Sequence, residues 1–126
     1  MSFAVDASAL LAVFNRERGV EVVAPLLPGA AISAVNLSEA ITKLIERGMP
    51  EGEIRALVGR TTLQIHPFDA PAAFEAAALR PPTRALGLSF ADRACLALAR
   101  SLALPALTGD RTWAKLELGI EIRVFR

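Results

Sequence analysis

The chain has 126 residues, 53% hydrophobic and 21% charged, with a formal net charge of +1. That composition predicts one ordered domain over residues 1–126 and excludes a disordered or low-complexity chain. So mild a charge does not by itself argue for a nucleic-acid partner. No segment offers the roughly 20 apolar residues of a membrane span, because the longest uncharged run, Val22 to Ser38, is broken by Pro25, Pro28, Gly29 and Asn36.

Short apolar runs alternate with helical patterns along the chain. Phe3-Ala4-Val5 reads as a first strand closed by Asp6, and Ala7 to Asn15 as a helix with Leu10, Leu11 and Phe14 on one face. Val20 to Leu27 reads as a short helix ended by Gly29, and Ala30 to Val35 as a buried strand. A helix from Leu37 to Arg47 carries apolar Leu37, Ala40, Ile41, Leu44 and Ile45 at helical spacing and stops at Gly48. Glu51 to Val58 is a further helix, Thr61 to Ile65 a strand, and Pro71 to Leu79 a helix with proline in its first turn. Arg80 to Leu88, with Pro81, Pro82 and Gly87, reads as a loop before the best-patterned helix, Ser89 to Leu102. A strand ending at Pro105 to Thr108, a short helix from Asp110 to Leu116 and a strand from Ile120 to Phe125 complete the chain. Strands alternating with helices predict an α/β sandwich around a mainly parallel sheet, whose functional crevice lies beyond the carboxyl ends of its strands.

Two further expectations follow from composition. The high apolar share in so short a chain predicts surface covered by a second copy or a partner. Asp6 interrupts the N-terminal apolar segment and no basic segment precedes it, so it does not read as a secretory signal, and Cys95 is the only cysteine. A cytoplasmic location is therefore expected.

Four of the 13 acidic residues share one setting: Asp6, Glu39, Asp92 and Asp110 all fall at strand-to-helix junctions, which lie on one edge of a parallel sheet. Each also has a plain structural reading. Asp6 and Asp110 fit helix caps, and Asn36-Leu37-Ser38-Glu39 and Ser89-Phe90-Ala91-Asp92 have capping-box spacing. On a helical wheel Glu39 projects away from its apolar stripe, whereas Asp92 borders the stripe of Ala91, Ala94, Cys95, Leu98 and Leu102. Carboxylates gathered beside a core repel one another, and a hard divalent cation such as Mg²⁺ or Mn²⁺ relieves that repulsion.

Other chemistry has less to stand on. One histidine and one cysteine exclude a usual zinc site, and there is no glycine-rich phosphate loop or nucleophile elbow. His66, Cys95, Trp113 and Phe14 read as structural. Arg84, Arg93 and Arg111 flank two of the acids and read either as surface solubility or as holders of a phosphate backbone. Of the 14 basic residues 12 are Arg, which suits phosphate contacts but also accompanies an Arg- and Ala-rich composition generally.

Taken together, Val5-Asp6-Ala7-Ser8-Ala9-Leu10-Leu11-Ala12, Asn36-Leu37-Ser38-Glu39-Ala40, Gly87-Leu88-Ser89-Phe90-Ala91-Asp92 and Thr108-Gly109-Asp110-Arg111-Thr112-Trp113 resemble, in order and over the whole chain, PIN-domain ribonucleases, and among them the VapC toxins of bacterial toxin–antitoxin pairs. The resemblance implies a PIN-like, Rossmann-like three-layer sandwich with a mainly parallel central sheet. It implies a Mg²⁺- or Mn²⁺-dependent endoribonuclease, inhibited by a VapB-type antitoxin and forming a homodimer. Asp6, Glu39, Asp92 and Asp110 match the family's acidic quartet, and Thr108 matches its hydroxyl before the last acid. The mechanism expected is metal-assisted hydrolysis of RNA phosphodiesters. Asp6, Asp92 and Asp110 would hold one cation, and Glu39 with Asp92 a second. Ser8 and Thr108 would orient carboxylates, and Arg84 and Arg111 would touch the RNA backbone. Where many members carry a further acid two residues after the last Asp, this chain has Thr112. Two readings of other classes remain: an inactive RNA-binding or scaffold protein of the same fold, and a phospho-acceptor domain, which lacks here its usual acidic pair and late lysine.

Overall fold

The computed structural model describes residues 1–126. Five short strands, β1 (Ala4–Val5), β2 (Ala31–Ser33), β3 (Gln64–His66), β4 (Ala106–Thr108) and β5 (Ile122–Val124), form one sheet of order β3-β2-β1-β4-β5. Every pairing is parallel, with Ala4 opposite both Ala31 and Ala106, and Val5 opposite Leu107. From β1 the chain adds strands outward in one direction to β3, then returns to add β4 and β5 on the other side. The strand order therefore reverses between β1 and β4, the position where parallel α/β sheets open a crevice at their carboxyl ends.

Side-chain alternation along the strands splits the interior into two cores and gives three layers. Phe3 and Val5 point into one core, shared with Leu10 of α1 (Ala7–Phe14), Val23 of α2 (Val20–Val23), Leu44 of α3 (Ala34–Glu46) and Ile54 of α4 (Glu51–Arg60). Ala4 and Ala106 point into the other, which holds Ala76 of α5 (Ala70–Ala78), Cys95, Leu96 and Ala99 of α7 (Phe90–Leu102), and Trp113. Trp113 and Cys95 are fully enclosed, in keeping with their structural reading. No helix is long and apolar enough to cross a membrane.

Local chemistry moves several boundaries from their expected places. β2 ends at Ser33, and α3 starts at Ala34 rather than Leu37. The reason is a cap: Ser33 keeps extended backbone and its Oγ accepts the Val35 N–H at 3.2 Å. Asn36 is therefore no cap, and Glu39 lies in the second helical turn, not the first. The expected loop at Arg80 to Leu88 contains α6 (Arg80–Thr83) and a tight turn at Arg84–Leu86. Proline is pre-set for a first helical turn, the Thr83 hydroxyl donates to the Leu79 carbonyl at 2.7 Å, and Gly87 ends the segment at φ 65. The predicted helix at Val20 to Leu27 is α2 followed by one tight turn at Ala24–Leu26, where Pro25 supplies no N–H. α5 begins behind an Asp69 cap, whose carboxylate accepts the Ala72 N–H at 3.1 Å.

Candidate active site

Because all five strands are parallel, α1, α3 and α7 begin at the carboxyl edge of the sheet, and β4 ends there. That edge carries Asp6, Glu39, Asp92 and Asp110. Asp6 is the innermost, at 6% exposure. It follows β1 directly and caps α1, its Oδ1 accepting the Ala9 N–H at 3.0 Å. The Ser8 hydroxyl also donates to Oδ1, at 2.6 Å, and the Thr108 hydroxyl donates to Oδ2, also at 2.6 Å. Both hydroxyls in turn accept backbone N–H groups of the loop after β4: Gly109 to Ser8 at 2.8 Å and Asp110 to Thr108 at 3.0 Å. Each hydroxyl has one proton to give and lone pairs to receive. The two therefore tie the Asp6 carboxylate to the backbone that carries Asp110, across a sequence separation of about 100 residues. Gly109 suits this loop because a Cβ there would come within 2.8 Å of the Arg126 side chain.

Asp110 is exposed and caps the turn Arg111–Lys115. Its Oδ1 accepts both the N–H and the hydroxyl of Thr112, at 2.9 and 2.8 Å. The residue that stands in place of a further acid thus fixes one oxygen of Asp110. Asp92 is half-buried in the first turn of α7, where the Ser89 capping box expected from sequence is present: Ser89 N–H donates to Asp92 Oδ2 at 3.0 Å, and Asp92 N–H to Ser89 Oγ at 3.1 Å. Glu39 is half-buried rather than fully solvated.

Capping and ligation are compatible at the three aspartates. A carboxylate has about four lone-pair positions. Asp6 uses three, Asp92 keeps Oδ1 open and Asp110 keeps Oδ2 open. Burial raises the Asp6 pKa above its usual 3.8, outweighing its hydrogen bonds, and the Asp92 charge adds to the rise. Glu39 is raised above 4.5, first by burial, with Asp92 and Asp6 adding to it against the opposing pull of Lys43. Burial also pushes the Cys95 thiol well up, and Asp6, Asp92 and Glu39 reinforce it. Three acids and the floor beneath them therefore share one field.

This donor set is entirely oxygen, negative and mutually repelling, which fits a hard divalent cation rather than zinc. No three of these side chains already converge on one point. Three aspartates each turn an oxygen toward a backbone N–H at the start of a helix or turn. A surface concavity of about 600 Å³ lies elsewhere and is lined by Val13, Phe14, Leu27, Leu57 and Arg60 among others. Of the four acids Asp6 is buried, Glu39 and Asp92 are half-buried and Asp110 is exposed.

The arginines divide. Arg84 and Arg111 are exposed, and Arg111 Nε donates to the Arg126 carbonyl at 3.0 Å. Arg93 is instead a clamp between α5 and α7: Nη1 donates to the Ala76 carbonyl at 2.9 Å, and the guanidinium lies 5.9 Å from the Phe90 ring centre. Two polar residues were not singled out as site residues from sequence. Thr112 sits two positions after Asp110, within reach of its carboxylate. Asn36 shares a helical row with Ala40 and Leu44, and a polar side chain on a buried row is itself a signal.

The PIN domain family model matches residues 3–118, and the chain belongs to that family. Among solved structures it is similar to a chain of the DNA-bound VapBC complex from Salmonella typhimurium, at 20% identity and TM-score 0.77 over 100% of this chain and 99% of that one. It is also similar to Mycobacterium tuberculosis VapC20, described as a sarcin–ricin loop cleaving toxin, at 23% identity and TM-score 0.73 over 93% and 97% of the two chains. A third is a member of the VapBC family of toxin–antitoxin systems, VapBC-5 from M. tuberculosis, at 25% identity and TM-score 0.61 over 99% and 98%. A search of curated protein sequences found no significant match.

Proposed function

We propose that this PIN-domain protein is a VapC-type toxin, a Mg²⁺- or Mn²⁺-dependent endoribonuclease inhibited by a VapB-type antitoxin. The observation that carries the reading is the coupled acidic edge, with Asp6 locked by two hydroxyls beside the point where strand order reverses. Membership of the family, and a fold shared with chains of toxin–antitoxin complexes, support it.

Asp6, Asp92 and Asp110 would hold one cation, and Glu39 with Asp92 a second. When bound, the cations make water a competent nucleophile near neutral pH and offset the charge that develops on phosphate oxygens. Ser8 and Thr108 hold Asp6 in one orientation, and Thr112 holds Asp110. Arg84 and Arg111, both exposed, contact the RNA backbone. In-line attack of water on phosphorus breaks the bond to O3′, which takes a proton, and leaves a 5′-phosphate and a 3′-hydroxyl. With no strong basic stripe, the protein cuts a structured RNA within a single-stranded loop, where bases are already splayed from the stack.

Exposed Phe74 (79%) and Phe90 (50%) support association, as a homodimer and with the antitoxin, in the cytoplasm. Induction of the chain should arrest growth, while Asp6→Ala should not. Wild-type cleavage that persists after exhaustive chelation, or products ending in a 2′,3′-cyclic phosphate, would overturn the mechanism. A wild type that binds Mn²⁺ and RNA but cuts nothing would favour an inactive scaffold.

A further inference from the structure

Asn36 is 1% exposed, in the first turn of α3 and one turn before Glu39. Its Nδ2 donates to the Ala91 carbonyl at 2.9 Å, on the residue before Asp92. One amide thus bridges the two helix starts that carry Glu39 and Asp92, 55 positions apart in sequence. Its other branch, Oδ1, is buried and finds no donor in the chain. Exchanging the two branches gives no relief, since Oδ1 would then face the Ala91 carbonyl, acceptor against acceptor. A buried carbonyl-type oxygen without a donor is rare and unfavourable, and an apolar side chain of the same shape would avoid it. The amide is planar, so fixing Nδ2 on the Ala91 carbonyl also fixes Oδ1, in the first turn of the helix that carries Glu39.

We infer that Asn36 is a positioning residue with two tasks: Nδ2 sets the spacing of Glu39 and Asp92, and Oδ1 serves as a neutral oxygen acceptor toward a hydrated divalent cation held by those two acids. The inference rests on the proposed cation-dependent function. It explains why an amide, rather than leucine or a third carboxylate, occupies this buried row. A carboxylate would face the Ala91 carbonyl acceptor against acceptor, and leucine would supply neither bond.

The test is Mn²⁺ titration of the purified full chain without RNA, read by calorimetry or by the Mn²⁺ resonance signal, alongside thermal melting. Asn36→Leu has the same branching and removes the orphaned oxygen. Its Tm should equal or exceed that of the wild type, while Mn²⁺ affinity falls by about 10-fold or more, the usual scale for groups that support metal ligands. Asn36→Asp, which keeps an oxygen at the branch, should recover part of that affinity. A residue with only a structural role would instead lose Tm and keep the Mn²⁺ affinity of whatever fraction remains folded. Unchanged affinity in Asn36→Leu overturns the inference, and so does an Asn36→Asp variant no better than Asn36→Leu. Should Asn36→Leu fail to fold, Asn36→Ala carries the same test with the same two outcomes. A wild type that binds no Mn²⁺ overturns the cation reading and this inference with it, a result distinct from intact wild-type binding with an indifferent Asn36.

Discussion

The two halves of the acidic edge are held in place by different means. On the β1–β4 side, Asp6 accepts two hydroxyls and a backbone N–H, and the same hydroxyls bind the backbone of Gly109 and Asp110. Little there can move without breaking buried hydrogen bonds. On the α3–α7 side, Glu39 and Asp92 stand on two helix starts, half-buried, and the Asn36 amide bridges those starts. One half is tied through hydroxyls to the loop after β4, the other through one amide between two helix starts.

The largest effects should come from removing charge on either side. Asp6→Asn, Asp92→Asn and Asp110→Asn should each lower RNA cleavage by on the order of 10²-fold or more, measured by gel assay at saturating Mg²⁺. Glu39→Gln should be harmful to a smaller degree. Near wild-type rates in any of the three aspartate variants would remove that residue from the site.

Hydroxyl removal separates the halves. Thr108→Val strips a donor from buried Asp6 Oδ2 and an acceptor from the Asp110 N–H. It should cost about 1–3 kcal/mol of stability and about 10- to 100-fold in activity or metal affinity. Glu39→Gln, lacking such bonds, should lose activity with no loss of Tm. Equal Tm losses in the two variants would erase the contrast between a locked and an open half.

Cation binding should stabilise the fold by about 2.7 kcal/mol at 100 times its dissociation constant, seen as a rise in Tm. The pH dependence follows from the raised carboxyls. Folding favours the neutral forms of Asp6 and Glu39, so in cation-free protein their contribution is fullest below the usual 3.8 and 4.5 and is lost as pH rises through their folded values. A cation favours the ionised forms and must displace those protons. The Tm rise should therefore be larger at about pH 7 than at about pH 5. A rise independent of pH would mean that the cation binds away from these two groups.

The smallest effects belong to the rim. Arg84→Ala and Arg111→Ala should each weaken RNA binding a few-fold, with a shallower salt dependence, because exposed phosphate contacts release few counterions. Filter binding across a salt series reads both quantities.

The alternation of short apolar strands with patterned helices, and the placing of four acids at strand-to-helix junctions, can be read locally. Asp6 follows Val5 directly, and Ser89 with Asp92 forms its capping box from four consecutive residues. These features depend on periodicity and on spacing within one turn, which the chain carries wherever it is placed. The Ser33 cap is not legible in the same way, because Asn36, three residues on, has capping-box spacing with Glu39. Packing of the Asn36 amide on Ala91 decides between them.

What the sequence by itself determined is therefore the class of fold, the identities of the acids and their common edge. Parallel strands joined by helices return every strand-to-helix junction to the same side. Only the tertiary structure decided how the acids are held. Thr108 meets Asp6, and Ser8 meets the Gly109 N–H, because β1 and β4 are neighbours, and Asn36 meets Ala91 because α3 and α7 start side by side. Those contacts join residues 55 to 102 positions apart. Nothing in a local pattern specifies them; they arise when burial of the two cores brings the elements into register, and a hydrogen bond formed there has its strength because water has been excluded.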